Sequence, residues 1–324
     1  MAKDFTNQHI VPKRYLDRFG IKDRKTTIIG TRILEKGEVK FFTTSTDNVG
    51  YIKNYYDVTD KDDPKYWEHF FAKEIDTLCG CDMENIIAKV TLSQWKATVL
   101  SLSDKETLSK VIVAQLMRIP ESIDYVTGHI YPRVSKQTKQ EITSLLPQFL
   151  LDKHGEQIRN MEFSPQYQKE LVLNHTFETK NFDRYCKILQ DGIWVIYVNA
   201  IYDSIPFMTS DNPVLVEGIG KTETGLFFNG LASPTTCIFY PLSPAIAVAI
   251  YSRYGILGIA GDKYDGKKMV LDEVNYIIAK NVKIMNQAYR HAFIPQPLYD
   301  EVAGSDKYTM TKHFLLTATQ EVLC

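Results

Sequence analysis

The run IWVIYVNAIY, residues 193–202, is rich in β-branched and aromatic residues, and it begins a part of the chain that predicts a sheet. Three runs of the same character follow it: PFMTSDNPVLV at 206–216, TTCIFYPL at 235–242 and IAVAIYS at 246–252. Gly, Pro, Asp and Asn residues separate these runs, as is typical of strands joined by turns. We therefore predict four or more strands, arranged as an antiparallel meander.

The region before residue 193 carries helical signals instead. Apolar residues recur at three- and four-residue steps between 64 and 89, which predicts one helix over that range. A second helix is predicted for 103–119. Ser103 and Glu106 match a capping box at its start, and Pro120 ends it.

Two further segments complete the fold prediction. Residues 27–42 alternate around Lys36-Gly37, which predicts a hairpin, and apolar positions along 270–291 predict a closing helix. The fold class is therefore α+β, with helical N-terminal and middle regions packed with a C-terminal antiparallel sheet and a closing helix. We expect a single domain over 1–324, with a helical lobe at about 64–190 and a mainly β part at about 193–324.

The charge of the chain limits its classes of partner. The 324 residues include 38 basic and 39 acidic groups, so no molecule-wide field attracts nucleic acid or anionic membrane. The charge is nevertheless uneven, because residues 1–40 carry a net charge of +5 and residues 57–84 a net charge of −6. Nucleic acid would have to bind through the local basic patch, and the acidic stretch leaves a protein partner open.

Cysteine usage and hydropathy favour a cytoplasmic protein. Five cysteines are scattered along the chain, a pattern that fits reduced thiols and not a four-cysteine zinc site. No apolar signal segment opens the sequence. The longest apolar run, 245–251, is far shorter than the roughly 18–20 residues that span a bilayer. We expect a cytoplasmic location and no membrane partner.

The strong catalytic signatures are missing from the sequence: it has no Gly-Lys-Ser/Thr phosphate loop, no GxSxG elbow and no HExxH helix. Candidate site residues therefore come from four weaker polar strings. The first is HIVPK at 9–13, which resembles the histidine strand of HNH nucleases. The second histidine of such a site is absent, because the string STDNVGYIKN supplies only Asn48 and Asn54. His9 is then either a general acid or base, or a residue with a hydrogen-bonding role.

The second and third strings lie on the predicted helices. In YWEHFFAKEI at 66–75, Glu68 and Glu74 are six residues apart, which places them about 120° apart around a helix. One carboxylate can then face a pocket while the other faces solvent, or both are solvated. In AQLMRIP at 114–120, Gln115 and Arg118 share one face. This pair suits binding of a phosphate or carboxylate, unless the arginine is buried and neutralised by an Asp or Glu elsewhere in the fold.

The fourth string is FMTSDNPV at 207–214, a strand end followed by a tight turn. A carboxylate fixed at a strand end is a common mount for a metal or a general base, which makes Asp211 a candidate. Ser and Asx side chains also satisfy the backbone of such turns, so a purely structural role explains the same string.

The strings become more specific when they are taken together. HxVPxxYLxxF, YWEHFFAKE, QxxRxP, TSDNPV, FYPLSP and LDEVN occur in that order between His9 and about Phe293. This set resembles the bacterial domain-of-unknown-function family 4238, although Ile119 stands where that family has a small polar residue. The matching positions are His9, Pro12, Tyr15, Leu16, Phe19, Glu68, Glu74, Gln115, Arg118, Pro120, Thr209, Ser210, Asp211, Asn212, Pro213, Pro241, Leu242, Ser243 and Asn275. The resemblance implies an association with phage defence or toxin systems.

These residues support two classes of function. The first is a metal-dependent nuclease or related phosphodiester hydrolase, and its predicted catalytic residues are His9, Glu68, Gln115, Arg118 and Asp211. Its predicted Mg or Mn ligands are Asp211, Glu68 and Glu74. Its predicted substrate-binding residues are Lys13, Tyr15, Ser210, Asn212 and Asn275. The second class is a non-catalytic sensor that binds a ligand or protein, in which the same groups form a satisfied polar network. A small-molecule hydrolase or transferase is a third possibility.

Overall fold

A computed structural model describes residues 6–23, 26–35, 38–59, 61–160, 162, 164–178, 180–218, 229–255, 258 and 261–295, with the backbone path alone for 21–42. It confirms the α+β fold class. The N-terminal part contains strands and one short helix in the order β1 (Asn7–His9), α1 (Lys13–Leu16), β2 (Ile21–Asp23), β3 (Thr26–Glu35), β4 (Glu38–Ser45) and β5 (Tyr51–Lys53). The predicted hairpin is present as β3 and β4, and its Lys36-Gly37 turn lies outside the described residues.

The middle of the chain is helical, as predicted. Its helices are α2 (Tyr66–Phe70), α3 (Met83–Leu92), α4 (Leu102–Arg118), α5 (Pro120–Tyr125), α6 (Tyr131–Leu145), α7 (Gln148–Asn160), α8 (Pro165–Phe177) and α9 (Asn181–Gln190). The single helix expected for 64–89 is wrong, because two π-helical turns, Phe71–Ile75 and Leu78–Asp82, separate α2 from α3. The capping box of α4 also differs from the prediction. Ser101 and Asp104 form it, two residues before the expected pair, because Ser101 is the last extended residue before the helix.

The C-terminal part contains the predicted sheet. Its elements are β6 (Ile193–Asn199), β7 (Thr209–Ser210), β8 (Leu215–Gly218), β9 (Thr236–Ser243), β10 (Ile246–Tyr251), β11 (Lys267–Leu271), α10 (Val274–Asn286) and β12 (His291–Ile294). The larger sheet has the order β11-β6-β10-β9-β8, with β11 parallel to β6 and the other pairs antiparallel. The closing helix is shorter than predicted, because the ends of its range belong to β11 and β12.

The meander prediction is correct only for β8, β9 and β10. The run PFMTSDNPVLV divides between two sheets: β8 joins the larger one, while β7 pairs with β12. The second sheet has the order β2-β3-β12-β7, with β4 beside β3. The N-terminal hairpin and the TSDNP turn are therefore parts of one sheet.

One hydrophobic core joins the N-terminal segment, the helices and the larger sheet. It contains buried side chains from all three regions, among them Leu16, Trp67, Ile112 and Trp194. A smaller core lies between the other face of that sheet and α10, around Phe207 and Ile277. Among the described helices, none is long and apolar enough to cross a membrane.

Tyr15 anchors the N-terminal segment in the core. Its side chain is fully buried and stacks on Tyr240, with ring centroids 5.1 Å apart. Its hydroxyl oxygen lies 2.7 Å from the Thr209 hydroxyl and donates to the Pro241 carbonyl oxygen at 2.9 Å. The N-terminal segment is thus attached to both sheets, one through Thr209 and the other through Pro241.

We expect Tyr15→Phe to reduce the free energy of unfolding by about 1–3 kcal/mol, because the buried Thr209 hydroxyl and Pro241 carbonyl lose their partner. Urea denaturation followed by tryptophan fluorescence measures this change. Tyr254→Phe is the control, since Tyr254 is 82% exposed and should tolerate the change. Equal stability of the two variants would contradict the anchoring role.

Candidate functional site

Four of the predicted catalytic residues lie in one polar cluster: His9 from the end of β1, Glu68 from α2, and Gln115 and Arg118 from α4. Its centre is the guanidinium of Arg118, which is completely buried. The Nη1 atom of Arg118 lies 3.0 Å from Asp76 Oδ1, and its Nη2 atom donates to Gln115 Oε1 at 3.2 Å. The structure therefore contains the predicted alternative, a buried arginine neutralised by an acid elsewhere in the fold, here Asp76.

The chain path explains how His9 reaches this cluster. The Gln115 side-chain amide donates to the Ile10 carbonyl oxygen at 2.8 Å, which ties α4 to the residue after His9. The Tyr56 hydroxyl donates to the Arg118 carbonyl oxygen at 2.8 Å. The end of α4 and the N-terminal segment are consequently fixed to each other by buried hydrogen bonds.

Burial changes the protonation of two side chains in the cluster. Glu68 is 8% exposed. Burial, together with the nearby negative charge of Asp76, raises the pKa of the Glu68 carboxyl to about 7, while Arg118 and the His9 backbone oppose the shift. Burial lowers the pKa of His9 below its usual value; Arg118 and Lys13 act in the same direction, and Asp76 and Asp47 oppose them. Just below pH 7, Glu68 is thus mostly protonated and His9 mostly neutral.

The cluster combines exposed edges with unsatisfied buried atoms. The Asp76 side chain is 26% exposed and His9 is partly exposed, so this side of the cluster meets solvent. Within the described part of the chain, His9 Nε2 and Arg118 Nε are buried and have no hydrogen-bond partner. Such atoms carry an energetic penalty until water or a ligand satisfies them. A proton donor, a proton acceptor and a buried cation therefore lie together beside a solvent-facing edge.

Asp76 is the residue that the sequence reasoning missed. The prediction paired Glu68 with Glu74, which is exposed and forms an ion pair with Lys73 at 3.0 Å. Counting 100° per residue from Glu68 places Asp76 about 80° away, closer in direction than Glu74. That count alone would have made Asp76 the better candidate. Glu74 does not join the cluster.

Asp211 lies outside the cluster, contrary to the prediction. Its carboxylate accepts three backbone N–H groups, from Tyr289 at 2.7 Å, Arg290 at 2.8 Å and His291 at 2.9 Å. It is 1% exposed, and burial raises its pKa to about 6 against the effect of those bonds. The carboxylate holds the turn between α10 and β12, and this structural role explains its place at a strand end.

The neighbours of Asp211 also serve the fold. The Ser210 hydroxyl donates to the Asn212 carbonyl oxygen at 2.8 Å and accepts the Asn212 N–H at 3.1 Å. The Asn212 side chain donates to Glu121 at 2.7 Å and to the Gln287 carbonyl oxygen at 3.1 Å. These bonds close the turn and attach it to α5 and α10. They do not present Ser210 or Asn212 to the cluster.

The other predicted substrate-binding residues have different environments. Tyr15 is buried in the core, and Asn275 is exposed in the first turn of α10. Lys13 alone lies at the edge of the cluster: its charge lowers the pKa of His9, and its side chain is 38% exposed, 3.3 Å from Asp47. Of the five predicted substrate-binding residues, Lys13 is thus the one whose position favours contact with a substrate.

The predicted metal ligands do not converge. Glu68 is in the cluster, Glu74 faces solvent, and Asp211 binds backbone groups. Across the described residues, no group of three or more His, Cys, Asp or Glu side chains has an arrangement that could hold a metal ion. None of these three residues is therefore assigned as a metal ligand. A requirement for Mg or Mn stays a prediction.

One protein-family model matches the part of the chain that contains the cluster. The model described as a protein of unknown function, DUF4238, matches residues 7–292. The chain belongs to the DUF4238 family. The DUF4238 match begins two residues before His9 and includes every residue of the cluster. Searches of curated proteins and of solved structures found no match.

We expect Glu68→Gln to change how stability depends on pH. As pH rises past about 4.5, an unfolded chain releases the Glu68 proton, while the folded protein retains it until about pH 7. The wild-type protein therefore loses stability as pH rises through this window, by about 2–3 kcal/mol between pH 5 and pH 8, and the variant does not. Denaturant unfolding at both pH values measures the difference.

Glu74→Gln is the matched control for this experiment, because Glu74 is exposed and lies six residues further along the same helical stretch. Its stability should follow the wild-type pH dependence. If Glu68→Gln follows it as well, the carboxyl of Glu68 is not held protonated in the folded protein.

We expect Asp211→Asn to destabilise the protein by about 1–3 kcal/mol, because an amide group cannot accept all three backbone N–H groups. Thermal unfolding measures the loss, with Asp203→Asn on the exposed surface as the control. Equal stability of the two variants would contradict this structural role of Asp211.

Proposed function

We propose that the protein is a hydrolase of phosphodiester bonds, a nuclease, whose active site is the cluster around His9 and Glu68. One observation carries this proposal: a carboxyl with its pKa raised to about 7 lies beside a histidine with its pKa lowered. Environments that make one group a proton donor and its neighbour a proton acceptor near neutral pH are typical of acid–base active sites.

This pair of groups suits RNA in particular, because RNA carries its own nucleophile. Neutral His9 would accept the proton of a 2′-hydroxyl as its oxygen attacks the adjacent phosphorus. A bond then forms between O2′ and phosphorus, the bond from phosphorus to O5′ breaks, and the proton of Glu68 passes to O5′. This transesterification gives a 2′,3′-cyclic phosphate and a 5′-hydroxyl. Hydrolysis is complete when a water, deprotonated by the ionised Glu68, attacks the phosphorus, the bond to O2′ breaks and protonated His9 returns its proton to O2′.

The charges around the pair favour an anionic substrate. Arg118 supplies a fixed positive charge, although its Nη atoms are bound to Asp76 and Gln115. Lys13 at the edge is a half-buried cation whose charge acts on His9. Most of the basic residues of 1–40 lie where no side chain is described, so the guiding role of the basic patch stays a prediction.

The alternative function is a non-catalytic binding module, and one observation favours it. Arg118 is fully buried, and together with Gln115 it fixes the N-terminal segment to α4. A polar network of this kind can exist to specify one structure rather than to react. For either function we also propose a role in phage defence or in a toxin system, which rests on the family resemblance.

We expect the purified protein to cleave RNA, and His9→Ala or Glu68→Gln to reduce the rate at least about 100-fold, because each removes one proton-transfer group. The substrates are tRNA, single-stranded DNA and plasmid, each with Mg²⁺, with Mn²⁺ or with a chelator. The wild-type rate should fall above pH 7 as Glu68 ionises. Gel analysis and product mass spectrometry follow the reaction.

The matched controls are His129→Ala and Glu74→Gln, because both residues are exposed. Both should keep wild-type activity. Wild-type protein that leaves all three nucleic acids intact under every metal condition would refute the nuclease and leave the binding module. Activity that a chelator abolishes would confirm the predicted Mg or Mn requirement and require ligands other than the three named.

A further inference from the structure

The irregular helix between α2 and α3 places one carboxylate against Arg118. The N–H of Asp76 donates to the Phe71 carbonyl oxygen at 2.8 Å, a five-residue step that belongs to a π-helical turn. The next turn contains Gly80 with φ −85° and ψ −116°, which is not helical. Asp76 therefore lies between two breaks in a helix, and π-turns are frequent at functional sites.

Gly80 lies against the N-terminal segment. A Cβ atom at Gly80 would collide with the guanidinium of Arg14, and Arg18 donates to the carbonyl oxygen of Cys79. The segment that carries His9 thus packs directly on the second π-turn. The same short stretch positions Asp76 on one side and receives the N-terminal segment on the other.

The charges of Asp76 and Arg118 act on both proton-transfer residues, His9 and Glu68. The charged groups that face His9 are Asp76, Arg118, Asp47 and Lys13. Those that face Glu68 are Asp76, Arg118 and His69. Only Asp76 and Arg118 occur in both sets, and they form an ion pair at 3.0 Å with the arginine completely buried.

We propose that Asp76 is a positioning residue, which holds the Arg118 guanidinium in place in the cluster and balances its charge beside Glu68 and His9. This inference rests on the proposed function, since it assigns the role of a residue in that site. Asp76 touches Arg118, and it acts on His9 and Glu68 through charge.

The replacement of Asp76 by Asn separates charge from shape. Asn keeps an oxygen at the same place, which can still accept the N–H of Arg118, and it removes the negative charge. The positive charge of Arg118 is then uncompensated, and it favours the ionised form of Glu68 and the neutral form of His9. An ion pair too far from Glu68 and His9 to act on their charges would leave both proton equilibria of the folded protein unchanged.

The test is an NMR titration of the Glu68 carboxyl carbon and the His9 ring in the full-length chain, in the wild type and in Asp76→Asn. We expect both pKa values to fall in the variant, that of Glu68 by about one unit or more, which is tenfold in its ionisation constant. The alkaline limb of the pH–rate profile for RNA cleavage should move down by the same amount.

Asp82→Asn is the control. Asp82 is exposed at the end of the π-turn Leu78–Asp82, and its side chain does not cap α3. Asp76→Glu, which keeps the charge, should restore the wild-type titration. If the Asn variant does not fold, Asp76→Ser replaces it, since a smaller polar side chain leaves room for water beside Arg118.

Titrations of Asp76→Asn that match those of Asp82→Asn would overturn the positioning role. The failure of the proposed function is a different result: the wild type then cleaves no nucleic acid, yet the pKa values of Glu68 and His9 still fall in the Asn variant. A pKa shift without any change in a measured pH–rate profile would also overturn the inference, because the charge would then not act on the reaction.

Discussion

The guanidinium of Arg118 is a permanent charge in the interior of the protein, and it needs compensation. Removing the partner of a buried ion pair costs roughly 3–5 kcal/mol, far more than the pair itself contributes. Asp76 supplies the opposite charge and Gln115 a further oxygen. Helix α4 therefore packs against the distorted stretch between α2 and α3. The Gln115 amide also donates to the Ile10 carbonyl oxygen, and this hydrogen bond helps to fix the position of His9.

Sequence reasoning found most of this arrangement, and its errors have identifiable causes. Helical spacing placed Gln115 and Arg118 on one face, because residues three apart on a helix are neighbours. His9 and Glu68 come from other elements, and the fold brings them to that face. The prediction missed Asp76 because it paired the two glutamates of YWEHFFAKEI, and Asp76 is the residue directly after that string. Asp211 was misplaced for another reason: its partners, the N–H groups of 289–291, are about 80 residues away, and no local pattern announces a backbone ligand.

The sheets show the same division between local and distant information. The four β-branched runs predicted strands correctly, since composition and turn residues are local properties. Their arrangement was harder to predict. The sequence gives no sign that Thr209–Ser210 leaves the larger sheet to pair with β12, because that choice depends on packing against β3 and α10. Burial of the polar cluster around Arg118 has two effects: it fixes one structure, and it shifts the pKa values of Glu68 and His9.

The attachment of Tyr15 has a consequence for the order of assembly. Its two hydrogen-bond partners lie 194 and 226 residues further along the chain. A nascent chain that ends before Pro241 already contains every residue of the cluster and the Gln115 amide that binds the Ile10 carbonyl oxygen. It lacks the partner that accepts the hydrogen bond from the Tyr15 hydroxyl. The N-terminal segment therefore gains its attachment to the larger sheet only late in synthesis.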